Sequence, residues 1–176
     1  MEYYTLKIYG ISRKLPLIAL GPKIKVASLN LLGDRKLVEV VAKTLYKKLK
    51  SIEFDYLVGP EVKVVPLLHE LSKLLNKERY IICRKGVHGY MVSPIKSSRK
   101  PELVLDGSDS ELIRNKKVVI IDDVVSSGQT FLAVRELMEK SGAQVISQMA
   151  IFKQGDKVDS AIENLVFLGT LPIFPS

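Results

Sequence analysis

Val118-Val119-Ile120-Ile121-Asp122-Asp123-Val124-Val125-Ser126-Ser127-Gly128-Gln129-Thr130 is the stretch whose reading decides the architecture. Val118–Ile121 is an unbroken β-branched run, the composition of a strand buried on both faces. An acidic pair closes the run, and a small polar loop follows. A helix is expected from about Gly128 to Lys140, stopped by Gly142, a residue type that caps helix ends. Each part has a chemical use. Two adjacent carboxylates at the carboxyl end of a strand suit the hydroxyls of a vicinal diol or a hydrated divalent cation. Ser126–Thr130 offers hydroxyls and successive backbone N–H groups at a helix N-terminus, which cradle a phosphate dianion. Either half alone reads equally well as a helix cap or an ordinary turn. Their order, strand then acids then loop then helix, favours the phosphate site.

Upstream, the chain alternates strand and helix. Phe54–Val58 reads as a short apolar strand, Lys63–Leu75 as a helix, Arg79–Cys83 as a strand and Leu103–Leu105 as another. Downstream, Ala143–Phe152 and Asn164–Leu168 supply further strands. This βαβ repetition predicts an α/β fold with a central, mostly parallel sheet flanked by helices. Ligands bind beyond the carboxyl ends of such strands. That rule points to the loops Gly59–Val64, Arg84–Pro101 and Asp122–Thr130.

The N-terminal part differs. Tyr3–Tyr9, Leu15–Leu20 and Ile24–Leu29 read as strands broken at Gly21-Pro22, a small β-rich layer over residues 1–30. Asp34 is placed to cap a helix running to about Leu49, with Leu37, Val40, Val41, Thr44, Leu45 and Leu49 facing inward. No linker or repeat divides the chain, so residues 1–176 are expected to form one domain, with the core over 31–176.

Composition narrows the classes. At 47% hydrophobic residues the chain is neither disordered nor membrane-like, and no apolar run reaches bilayer length. Met1-Glu2-Tyr3-Tyr4 lacks the layout of a signal peptide, which makes the cytoplasm the expected location. One cysteine, Cys83, permits no internal disulfide. The net charge of +8 comes without a helix-turn-helix, zinc knuckle or paired aromatic motif. It reads as a Lys-rich solvated surface around a polyanionic substrate rather than a nucleic-acid footprint.

Ile120–Thr130 resembles the signature of the type I phosphoribosyltransferases. The resemblance implies that Asp122 and Asp123 hold the ribose hydroxyls as catalytic residues. It also implies that Ser126, Ser127, Gly128, Gln129 and Thr130 bind the 5′-phosphate of phosphoribosyl pyrophosphate. Gly59-Pro60-Glu61-Val62-Lys63 resembles the pyrophosphate loop of the purine enzymes, with Lys63 where adenine enzymes carry Arg. Arg84-Lys85-Gly86 resembles the start of their mobile loop. Glu61, Val62, Lys63, Arg84 and Lys85 are thus the implied pyrophosphate-binding set. Ser126 stands where hypoxanthine–guanine enzymes carry an Asp, which leans the resemblance toward adenine. Val26–Leu32 echoes the base-binding segment of adenine enzymes most clearly at Asn30-Leu31-Leu32. The family further implies Mg²⁺ near Asp122 and Asp123, a homodimer, a small hood over the core and a nucleobase as second substrate. Xanthine or another base, and a non-catalytic nucleotide-sensing relative, are the alternatives.

Overall fold

The computed structural model describes residues 1–155, 162 and 164–175. The chain opens with strands β1 (Tyr3–Ile8), β2 (Ile11–Ala19) and β3 (Ile24–Ala27), then helix α1 (Arg35–Leu49). Next come β4 (Tyr56–Pro60), α2 (Val65–Leu74), β5 (Tyr80–Cys83) and the short strands β6 (Ile95–Lys96) and β7 (Val104–Leu105). The last part holds α3 (Gly107–Ile113), β8 (Lys117–Val125), α4 (Gln129–Lys140), β9 (Gln144–Gln154), β10 (Leu165–Leu171) and β11 (Ile173–Pro175).

The predicted central sheet is present, in the order β10-β9-β8-β4-β5, and all of its pairings are parallel. Its apolar residues sort by face, as the two-residue period of a strand demands. Leu57, Val119 and Ile121 enter one core with α1 and α2, whereas Val58, Val118 and Ile120 enter a second core with α4. Both faces are buried, which is why Val118–Ile121 shows no alternation in sequence. β4 and β8 come unusually close at Gly59. A Cβ there would lie 2.6 Å from the carbonyl oxygen of Ile121.

Several details differ from expectation. β8 continues through the acidic pair to Val125, because β9 runs beside it that far and pairs Val125 with Lys153. α2 starts at Val65 rather than Lys63, with Pro66 in its first turn where a missing N–H costs nothing. The inward stripe of α1 holds Val38 and Ala42 in place of Val40 and Thr44. Thr44 sits at the border, its hydroxyl donating back to the Val40 carbonyl at 3.0 Å. Helix α3, capped by Asp106, lies where no element was expected.

A second, antiparallel sheet forms the hood in the order β1-β2-β3-β11. Its fourth strand comes from far along the chain, Ile173 pairing with Val26. The segment between β5 and β7 is anchored at several points. Arg84 exchanges two 2.7 Å backbone bonds with Val104, and Gly107 N–H donates to Val92. Farther along, Ser98 N–H donates to Glu136 at 2.9 Å and the Lys140 ammonium donates to the Lys96 carbonyl at 2.8 Å. Burial leaves the Cys83 thiol pushed up to about 12, an inert group.

Candidate active site at the carboxyl edge of the sheet

The carboxyl ends of β4, β5 and β8 open into one cavity of about 740 Å³, the size of a small-molecule site. Asp122, Asp123, Val124 and Thr130 line it from the β8 side, and Glu61, Val62, Lys63 and Val64 from the β4 side. Lys85 enters from the end of β5, and the hood adds Pro16, Ser28, Asn30 and Leu32. The strand register explains the convergence. Val58 pairs with Ile120 and Pro60 with Cys83, so the three loops leave the sheet at one level.

The acidic pair is held by short local bonds. Asp122 Oδ1 accepts the Asp123 N–H at 2.8 Å, and Asp123 Oδ1 accepts the Val124 N–H at 2.8 Å. Burial, then the charge of Asp123, pushes the Asp122 carboxyl well above its usual range, while the Lys63 ammonium opposes the shift. A pair that resists holding two negative charges favours hydroxyl donors or a cation beside it. Among the described residues, no group of three or more His, Cys, Asp or Glu side chains could hold a metal alone. Two carboxylates at an open cavity nevertheless suit an ion such as Mg²⁺, which keeps waters and takes its other ligands from a phosphorylated substrate.

The loop after β8 turns at Gly128, whose φ of +85° is a left-handed conformation open to glycine. Gly128 is also the N-cap of α4, and no side chain caps that helix end. Ser126 and Ser127 are exposed and line a second pocket of about 580 Å³. That pocket is completed by Gln154 and Gly155 after β9, Thr170 and Leu171 of β10, and Pro172 and Ile173.

The pyrophosphate-like loop is organised by Glu61. Its carboxylate pairs with the Arg84 guanidinium and accepts the Lys85 N–H at 2.6 Å. Burial raises the Glu61 carboxyl, but the Lys85 amide and Arg84 outweigh it and leave the group below its usual range. Arg84 also donates to the Tyr90 hydroxyl at 2.5 Å and lies 3.1 Å from His88 Nε2. His88 stacks on Tyr90 with ring centroids 5.4 Å apart. Arg84 is therefore spent on Glu61, Tyr90 and His88 and does not line the cavity, whereas Lys85 does. The Lys63 ammonium donates to the Leu29 carbonyl at 3.1 Å, tying the loop to the segment after β3.

Sequence reading did not single out Gln154 or Thr170. The signal was available, since both stand at the carboxyl ends of strands, where ligands of parallel sheets gather.

The family model of the phosphoribosyl transferase domain matches residues 28–168. An adenine phosphoribosyltransferase of Thermosipho africanus is 31% identical over 118 residues, 66% of this chain and 69% of that protein. An orotate phosphoribosyltransferase of Pyrococcus horikoshii is 25% identical over 138 residues, 77% of this chain and 66% of that protein. The fold matches that of an adenine phosphoribosyltransferase from Thermoanaerobacter pseudethanolicus with a TM-score of 0.71, at 21% identity, covering 89% of this chain and 95% of that one. With the acidic strand end, the glycine-turned loop and the hood in place, the chain belongs to the phosphoribosyl transferase domain family.

Proposed function

We propose that the chain transfers the phosphoribosyl group of phosphoribosyl pyrophosphate to a purine base, adenine first, forming AMP and pyrophosphate. The observation that carries this reading is the convergence of Asp122, Asp123, Lys63, Lys85 and Thr130 on one cavity. In this reading Asp122 and Asp123 accept the ribose hydroxyls. The 5′-phosphate lies against Ser126–Thr130 at the start of α4, where the helix dipole favours an anion. Lys63 and Lys85 neutralise the pyrophosphate as point charges. Mg²⁺, carried mainly by substrate oxygens beside the acidic pair, would supply further neutralisation of the departing pyrophosphate.

The C1–O bond to pyrophosphate breaks with its electron pair leaving on pyrophosphate, and a ring nitrogen of the base forms the new C1–N bond as its N–H proton passes to the pyrophosphate or to solvent. The chain contributes position and charge rather than a nucleophile. The base lies under the hood in the same cavity, against Asn30 and Leu32. Glu61 is a positioning residue that fixes the Lys85 backbone beside the cavity. Action as a homodimer in the cytoplasm completes the proposal; among the described residues no helix is long and apolar enough to cross a membrane.

The test is a panel of bases, adenine, hypoxanthine, guanine, xanthine and orotate, each incubated with phosphoribosyl pyrophosphate and Mg²⁺. Formation of AMP above the other products is expected. Turnover of none would favour the sensing alternative, to which the engagement of Arg84 with Glu61 lends support.

A further inference from the structure

Lys63 touches more than the pyrophosphate-like loop that carries it. Its ammonium reaches back across 34 positions of sequence and donates to the Leu29 carbonyl at 3.1 Å. Leu29 is buried and lies in the short segment by which the chain leaves β3 of the hood for α1. Bonds on either side of it shape that segment. Ser28 N–H donates to the Pro16 carbonyl at 2.9 Å, and Asn30 Oδ1 accepts the Leu32 N–H at 3.1 Å. Leu31 is packed into the core beneath. Pro16, Ser28, Asn30 and Leu32 all line the cavity, so the Lys63 tether holds the middle of its hood wall.

Lys63 faces the opposite wall as well. It lines the same cavity as the acidic pair, and its charge opposes the rise of the Asp122 carboxyl. The ammonium thus stands between the strand end proposed for the ribose and the wall proposed for the base. An ammonium is a compact charge with three rotatable N–H donors. It can keep the Leu29 bond while it turns a second N–H to a phosphate oxygen. The rigid planar fork of a guanidinium is less suited to that division.

A phosphate oxygen on the ammonium restricts the motion of a long side chain. The bond to Leu29 then forms at a smaller entropic cost, and the hood wall is held more firmly. Such a coupling is reciprocal, so a base resting on the wall tightens pyrophosphate by the same factor.

Resting on the phosphoribosyl reading above, we propose that Lys63 is a positioning residue that couples the two ends of the cavity, firming the Leu29–Leu32 wall for the base when pyrophosphate is bound. The test is hydrogen exchange of the full chain with and without inorganic pyrophosphate and Mg²⁺, with binding followed by calorimetry. Exchange at the amides of Asn30–Leu32 is expected to slow roughly fivefold, the low end of couplings between sites. Lys63→Met, of similar length but without the charge, should abolish that slowing at saturating pyrophosphate. The same variant should weaken the tightest of AMP, IMP and orotidine 5′-monophosphate roughly fivefold relative to ribose 5-phosphate, which has no base to rest on the wall. A lysine that only neutralised pyrophosphate would leave that ratio as it is, since neither ligand carries pyrophosphate. Retained ribose 5-phosphate affinity checks the fold of the variant, and the wild-type exchange experiment tests the proposal without it. Pyrophosphate binding with unchanged exchange at Asn30–Leu32 overturns the coupling and leaves the phosphoribosyl site standing. Slowing that persists in Lys63→Met, or a ratio equal to that of the wild type, does the same. Failure of pyrophosphate to bind overturns the coupling, and failure of the nucleotides and ribose 5-phosphate as well overturns the phosphoribosyl reading with it.

Discussion

Among the described residues, two helices begin on an aspartate and two do not. Asp34 starts α1 and accepts the Leu37 N–H, and Asp106 starts α3 and accepts the Ser108 N–H. α2 and α4 start at Val64 and Gly128 with no side-chain cap. The uncapped pair are the two whose first residues border the active-site cavity, Val64 on one side and Thr130 on the other. An acidic cap contributes about 1 kcal/mol to a helix. On the proposed reading these two helix ends meet phosphates, so that contribution is forgone and the anion-binding end is left to the ligand. Asp34 also forms a two-point pair with Arg13 at 2.5 and 2.9 Å.

This contrast can be broken at either end. The largest effect is expected from the acids that belong to the cavity rather than to a helix. Asp122→Asn or Asp123→Asn should lower kcat/KM roughly 100-fold, the scale on which charge placement contributes to catalysis. Asp122→Asn should also raise the unfolding temperature at neutral pH. The Asp122 carboxyl is raised in the folded chain, so the fold loses stability as pH climbs above the ordinary value of 3.8. The asparagine variant escapes that loss, and its advantage should vanish in acid. Parallel activity assays and melting curves at several pH values check both halves, and an Asn variant with full turnover would refute the diol assignment.

A second change gives α4 the start that α1 and α3 already have. Gly128→Asp places a carboxylate where the phosphate is expected and should raise KM for phosphoribosyl pyrophosphate by roughly 30-fold or more. The left-handed φ of +85° adds a stability cost of about 1–2 kcal/mol. An unchanged KM would mean that the phosphate does not sit at this helix end.

The smallest effect on activity should come from Asp34→Ala. It removes a cap and an ion pair between residues that do not line the cavity, so a loss of about 1–2 kcal/mol with kcat/KM within twofold is expected. Arg13 is the main cause that holds the Asp34 carboxyl below its usual range, with the Leu37 amide helping. Its contribution is therefore present above pH 3.8 and should fade as acid is added below that value. Denaturant melts of the two proteins that converge at low pH would bear this out.

The sequence was most readable where one local rule ruled alone. Val118–Ile121 had to be a strand buried on both faces, and it divides its residues between two cores. It was least readable where the partner is remote. β11 has three residues and includes Pro175, and it exists only because β3 offers an edge to Ile173 from nearly 150 positions away. α3 spans seven polar-rich residues, too few for a helical period to show. Among the site residues, the acidic pair and Thr130 were placed beside the cavity by their motif. The engagement of Arg84 was not legible, because it follows from strand register. Pro60 pairs with Cys83, so the next residue on each strand, Glu61 and Arg84, becomes a neighbour. The bond from Gln154 to the Ala27 carbonyl of another sheet was not legible for the same kind of reason.

Gly59 has a consequence for how the site behaves in salt. Its bare α-carbon lets β4 abut β8 one residue before the acidic pair, with Leu68 and Val64 closing on the same point. The span between the loop bearing Lys63 and the strand end bearing Asp122 is thus fixed by hard atomic contact in a buried layer. Ionic strength screens the pull of Lys63 and Lys85 on a polyanion, so affinity should decline as salt rises. The span itself answers to packing and stays as it is.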